Sequence, residues 1–167
     1  MSHLAHRQAA PKTVHCYVLT ISDTRTNETD SGGRTIVDLL TDKGHDVVGK
    51  TIVPDDPERV REAVQAQLAN DAVQAILTTG GTGISSRDQT YEAINGILEK
   101  RIDGFGELFR ALSYAEVGTA AMLTRALAGT ACRKIIISMP GSENAVRLAM
   151  TKLLLPELGH LVREVSR

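Results

Sequence analysis

Short apolar runs of strand character alternate along this chain with longer stretches of helical periodicity, and that alternation leaves few folds open. Residues 14–21 read Val-His-Cys-Tyr-Val-Leu-Thr-Ile, rich in β-branched and aromatic types, and stop at a polar series that begins with Ser22. Beyond Gly32 and Gly33, the residues Ile36, Val37, Leu39 and Leu40 recur at helical spacing, and Gly44 falls where a helix C-cap belongs. Residues 45–53 predict a second strand, closed by Pro54-Asp55-Asp56-Pro57. Asp56 ahead of Pro57 marks a helix start, since aspartate caps free amides and proline is tolerated at the first helical position. That helix carries Val60, Ala63, Val64 and Leu68 on one face. Residues 72–77 and 134–138, the latter with three consecutive isoleucines, are too apolar for surface strands. Helical patterns cover residues 88–98, 106–117 and 120–127, then 143–154 and 156–165.

Strands separated by helices predict a mainly parallel central sheet covered on both faces, a three-layer α/β/α sandwich. With 167 residues and no internal repeat or linker, one domain over residues 13–167 is expected, preceded by a flexible tail over residues 1–12. Nineteen Lys and Arg against 20 Asp and Glu leave a formal net charge of -1, so no global field draws the chain to nucleic acid or an anionic membrane. An anionic ligand must be held locally. Cys16 and Cys132 stand far apart, outside any Cys-x-x-Cys pair, and are expected as reduced core thiols. The histidines are scattered, and no apolar run is long enough for a signal peptide or membrane span, so the expected address is the cytoplasm.

In sheets of this kind ligands bind beyond the carboxyl ends of the strands, which narrows the search to four loops. Thr78-Thr79-Gly80-Gly81-Thr82-Gly83 follows a buried strand, and Ile84-Ser85-Ser86-Arg87-Asp88 leads on into a helix. Glycines let backbone amides approach a ligand, a helix N-terminus adds oriented donors, and Arg87 offers a planar cationic fork. The loop matches neither a P-loop, which needs Gly-Lys-Ser/Thr, nor a dinucleotide fingerprint. Asp88 fits a helix cap as well as a functional carboxylate, and Asp55 a solvated loop residue as well as a cleft residue. Ser22-Asp23 and Met139-Pro140-Gly141-Ser142 complete the set, with an Asx turn at Asp23 and a helix cap at Ser142 as the plainer alternatives. Two carboxylates at separate strand ends are also suited to sharing a Mg²⁺ ion with phosphates.

In this order, Ser22-Asp23, Pro54-Asp55, the loop Thr79-Gly80-Gly81-Thr82-Gly83 with Arg87-Asp88-Gln89-Thr90, Gly104-Phe105-Gly106-Glu107 and Met139-Pro140-Gly141-Ser142 resemble the MoaB/MogA family of molybdenum-cofactor biosynthesis. The likeness runs from about Val14 into the C-terminal helix. The stretch from Gly104 to Gly118, continuing through Arg125-Ala126-Leu127-Ala128-Gly129, looks most like the bacterial MoaB branch. The resemblance implies a molybdopterin-binding α/β fold assembled as a trimer or a pair of trimers. It also implies adenylylation of molybdopterin by MgATP in active members, with Asp55 and Asp88 matching the two catalytic aspartates. Other proteins of the same pathway are possible partners on this basis. Arg87-Asp88 favours activity, because inactive members lack that context. Two departures stand out: Thr90-Tyr91 replaces Thr-Pro, and Pro-Gly-Ser-Glu replaces a Pro-Gly followed by proline.

Two functions follow as expectations. One is a molybdopterin adenylyltransferase using ATP and Mg²⁺ at Asp55 and Asp88. The other is a non-catalytic molybdopterin-binding protein, consistent with the MoaB-like helical region and with Tyr91 and Glu143. An unrelated nucleotide-using α/β protein, such as a dehydrogenase or methyltransferase, is the distant third, since its fingerprints are missing.

Overall fold

The strands β1 (His15–Ile21), β2 (Asp46–Val53), β3 (Ala75–Thr79), β4 (Lys100–Arg101), β5 (Leu127–Ala131) and β6 (Lys134–Met139) form one sheet in the order β2-β1-β3-β6-β5-β4. They come from a computed structural model that describes residues 3–167. β2, β1, β3 and β6 are parallel, while β5 and β4 run antiparallel at the far edge. Alternation along each central strand divides the core in two. Val18, Leu77, Ile135 and Ile137 face one layer, whereas Leu19, Ile76 and Ile136 face the other. The isoleucine run is therefore buried on both sides, as a central parallel strand requires.

Crossovers supply the two outer layers. Helix α2 (Ser31–Asp42) returns β1 to β2 over the first face, where Ile36 and Leu40 are fully buried. Helix α3 (Pro57–Leu68) returns β2 to β3 over the second face through Val60 and Val64. Strand order thus reverses at β1, and a crevice opens between the carboxyl ends of β1 and β3. Asp56 caps α3 by accepting from the Arg59 amide, with Pro57 in the first turn. Asp30 does the same for α2 through the Gly33 amide, and Thr20 and Lys50 also bind its carboxylate. Burial raises the Asp30 pKa, but hydrogen bonds from Lys50, Thr20 and Gly33 outweigh it and hold the group below its ordinary value.

Several elements differ from the sequence expectations. The opening segment, expected to be a loose tail, contains helix α1 (His3–Gln8), with Arg7 paired to Glu157; Met1 and Ser2 lie outside the described residues. The helix expected over residues 88–98 is confined to α4 (Thr90–Asn95). Helix α5 (Asp103–Val117) follows, but the helix expected over residues 120–127 is replaced by a 3₁₀ segment, Gly118–Leu123, and then by β5. Within β5 the Gly129 backbone packs too closely on Lys100 and Leu98 for any Cβ. Helices α6 (Glu143–Ala149) and α7 (Leu155–Ser166) are joined through a π-helical turn, Met150–Leu154, into one continuous run. Cys16 is a buried thiol, and burial pushes its pKa up to about 12. Cys132 is not a core thiol: it is exposed in the β5–β6 turn, where it and Arg133 adopt positive φ.

One histidine ties the segment just before β1 to the turn between α2 and β2. The Val14 amide donates to His45 Nδ1 at 3.1 Å, which requires an unprotonated nitrogen, and burial lowers the His45 pKa from 6.5. The unfolded chain binds this proton at a higher pH than the folded chain. This contribution to stability is therefore complete above the ordinary value and is lost as pH falls toward the folded one. Urea unfolding is expected to show a drop in stability below pH 6.5 that is smaller in His45→Gln.

Candidate binding and catalytic site

The four loops of the sequence reading meet at the crevice beside β1. The Ser22 amide donates to the Val53 carbonyl, and Ser22 Oγ accepts from the amides of Thr24 and Arg25, so Ser22 builds the turn after β1. Asp23 then reaches across to the second loop, where Oδ1 accepts the Asp55 amide at 3.0 Å and Oδ2 pairs with Arg87. The hydrogen bond from Arg87, joined by the Asp55 amide, lowers the Asp23 pKa, and the same pairing raises that of Arg87. Asp23 is a bridge between loops and not an isolated Asx turn.

The glycine loop owes its path to backbone conformation. Gly80 has φ +105° and Gly81 φ +70°, and a Cβ on Gly80 would run into the Ile21 carbonyl. Its amide donates to Met139 O at 2.9 Å, so Gly80 binds the fourth loop and not a ligand. Thr79 Oγ1 donates to Pro140 O at 2.8 Å, and Thr82 Oγ1 lies 3.2 Å from Thr124 Oγ1. Among the described residues, the amides of Gly81, Thr82 and Gly83 have no protein acceptor. They are the loop's free donors. Ser142 caps α6 through the Ala145 amide, its plainer role, while Gly141 O approaches Gly32 at the start of α2.

Asp88 does not cap α4, whose N-cap residue Gln89 makes no side-chain cap bond. Its Oδ2 instead accepts from the Ser85 amide at 3.0 Å and from Ser85 Oγ at 2.6 Å. Asp55 Oδ1 is buried with no hydrogen-bond partner among the described residues. Burial raises the Asp55 pKa; the Gln89 amide lowers it, and the nearby charges of Asp88 and Asp23 raise it again. A buried carboxylate oxygen without a donor, in a carboxylate that feels the charges of Asp88 and Asp23, fits a site that receives a cation. Among the described residues no group of three or more His, Cys, Asp or Glu side chains could hold a metal by itself. Any ion here needs the ligand's own oxygens.

Sequence reading missed Arg125, which lies between the 3₁₀ segment and β5. Its guanidinium donates from Nε to Gly83 O at 2.9 Å and from Nη2 to Asp88 O at 2.7 Å, and it pairs with Glu92. No local pattern signals this, because the contact joins residues more than thirty positions apart. The position of Asp30 ahead of Ser31-Gly32-Gly33 did carry a readable capping signal. Enclosed volume does not locate the site: a cavity of about 510 Å³ bounded by Arg61, Gln65, Glu99 and Cys132 lies away from these loops.

A doubly wound α/β sheet with free loop amides and carboxylates at its switch point defines a class, that of α/β proteins whose ligand crevice lies at the carboxyl ends of the strands. Comparison with known proteins gives the family. Residues 17–160 match the family described as a probable molybdopterin binding domain, and the chain belongs to it. It is 53% identical over 168 residues to molybdenum cofactor biosynthesis protein B of Bacillus cereus, with 100% of this chain and 99% of that protein covered. A crystal structure of a molybdenum cofactor biosynthesis protein B superposes with a TM-score of 0.91 at 54% identity, covering 93% of this chain and 98% of that one. The tungsten cofactor synthesizing protein MoaB from Pyrococcus furiosus follows at 0.83 and 37%, with 95% and 100% covered. The expected fold and family resemblance both hold.

Two glycines separate folding from binding. Gly80→Ala is expected to destabilise the protein by roughly 2–4 kcal/mol, through positive φ and the clash with Ile21. Gly83 has ordinary φ, but a methyl there would fall 2.6 Å from Asp88 Oδ2. Gly83→Ala is expected to keep its melting temperature within a few degrees, by the usual scale of small effects, while weakening ligand binding. Thermal melts and calorimetric titration of both variants with molybdopterin check this.

Proposed function

We propose that this chain binds molybdopterin at the glycine loop and adenylylates it with MgATP. The observation that carries the reading beyond simple binding is Asp55 Oδ1, a buried carboxylate oxygen left without a donor beside Asp88. The terminal phosphate oxygen of molybdopterin attacks the α-phosphorus of ATP, a new P–O bond forms, and the bond to the β-phosphate breaks to release pyrophosphate. Phosphoryl chemistry of this kind asks the protein for position and charge compensation rather than a covalent nucleophile.

The residues divide that work. The free amides of Gly81, Thr82 and Gly83 bind phosphate oxygens. Arg87, exposed at the rim, holds Asp23 and offers its remaining donors to the polyphosphate. Asp55 and Asp88 would hold Mg²⁺, which when bound supplies charge neutralisation to the phosphates. The opening at Ser22 and the turn at Pro140-Gly141-Ser142 border the pterin side of the crevice. The reaction belongs in the cytoplasm, where MgATP is available.

A passive molybdopterin-binding role is the second reading, favoured by the engagement of Asp88 with Ser85. Protein incubated with molybdopterin and MgATP should yield adenylylated pterin and pyrophosphate. Asp55→Asn and Asp88→Asn should each lower the rate at saturating MgATP by roughly 100-fold or more while pterin binding persists. Binding without product in the unsubstituted protein would select the passive reading.

The proposal includes assembly as a trimer or a pair of trimers. Leu108, Tyr114, Val117, Met122 and Leu123 are exposed along α5 and the 3₁₀ segment, an apolar surface that supports contact with further copies. Sedimentation should give three or six times the chain mass of 18.0 kDa, and combining Tyr114→Glu with Met122→Glu should lower it.

A further inference from the structure

A trans peptide points its C=O and its N–H in opposite directions, so whatever grips a carbonyl also aims the next residue's amide. Three peptides at the glycine loop are gripped from one side by one residue. The Arg125 amide donates to Thr82 O at 2.7 Å, its Nε to Gly83 O at 2.9 Å, and its Nη2 to Asp88 O at 2.7 Å. The amides that follow those carbonyls belong to Gly83, Ile84 and Gln89, and each is turned away from Arg125. The third is near the Asp55 carboxylate, whose pKa it lowers.

The guanidinium is itself fixed. Glu92, one turn into α4, pairs with it, and its plane lies over the Tyr91 ring with Cζ 5.2 Å from the ring centroid. Arg101 approaches the same ring at 5.6 Å and donates to the Tyr91 hydroxyl at 2.6 Å. Tyr91 is thus a platform between two arginines, which gives a physical use to the residue that departs from Thr-Pro. Arg125 spends its donors on carbonyls and Glu92, so it acts through the backbone.

We propose that Arg125 is the positioning residue of this site: its main-chain amide on Thr82 O aims the Gly83 amide at the ligand, and its guanidinium, by holding the carbonyls of Gly83 and Asp88, fixes the Ile84 and Gln89 amides behind it, with Glu92 and Tyr91 holding the guanidinium in place. The inference rests on the reading of the loop as a molybdopterin site. A fork is needed, because one charged group must satisfy two carbonyls and a carboxylate in fixed directions, which an ammonium does less well.

Amide exchange by NMR and calorimetric titration with molybdopterin test it. Arg125→Ala, which keeps the main-chain bond to Thr82 O, should accelerate exchange at Ile84 and Gln89 and weaken molybdopterin binding roughly 10-fold or more. Millimolar guanidinium should restore much of the affinity, and Arg125→Lys should restore less than guanidinium does. Glu92→Gln should loosen the same two amides to a smaller degree, and it decides the matter if Arg125→Ala does not fold. Unchanged exchange at these amides in both variants, or full molybdopterin affinity in Arg125→Ala, would overturn the positioning role. If the unsubstituted protein fails to bind molybdopterin, the ligand reading falls, while the exchange measurements still judge Arg125.

Discussion

The parallel pairing of β1 with both β2 and β3 is the constraint from which the site follows. Parallel neighbours place all their carboxyl ends at one edge, and a reversal of strand order sends α2 and α3 to opposite faces. The loops leaving Ile21 and Thr79 then diverge and leave a crevice between them. Closeness is enforced by Gly80, whose missing side chain lets its backbone lie against the Ile21 carbonyl. The fourth loop is fastened to the third by the Gly80 amide and the Thr79 hydroxyl. A wider side chain at that point would push the loops after β1 and β3 apart.

Charge is arranged in two shells around this crevice. The inner one is acidic: Asp23, Asp55 and Asp88 are near enough for Asp55 to feel both neighbours. Arginines lie around it, with Arg87 on the solvent side and Arg125 behind the loop. Apart from these, Asp30 and Lys50 bury an ion pair that joins the edge strand β2 to the start of α2. Its hydrogen bonds satisfy a carboxylate that has almost no contact with water, which makes it a structural pair.

Sequence reading reached the features written in local order. The alternating segments gave the parallel core, Asp56-Pro57 gave the entry to α3, and the glycine loop was placed on the strand end it occupies. It missed β4 because two charged residues at an edge show no strand period, and β5 because Leu127–Ala131 reads Leu-Ala-Gly-Thr-Ala, with no alternation and little β-branched character. Cys132 looked apolar in composition, yet its place in a two-residue turn sets its exposure. At the site, the loops were legible but their internal bonds were not. Gly80 was read as a ligand donor although its amide serves Met139, and Arg125 was passed over because its partners lie far away in sequence.

The free donors of the glycine loop belong to the main chain, and this bears on how such a protein tolerates change. Among single replacements only proline deletes an amide, so whatever these donors bind is buffered against drift wherever the backbone path survives. The carboxylates have no such buffer, since one substitution removes each of them. If the proposed reaction is the one this scaffold runs, a lineage built on it can lose turnover in one step and keep its ligand, becoming a carrier with the outline of an enzyme.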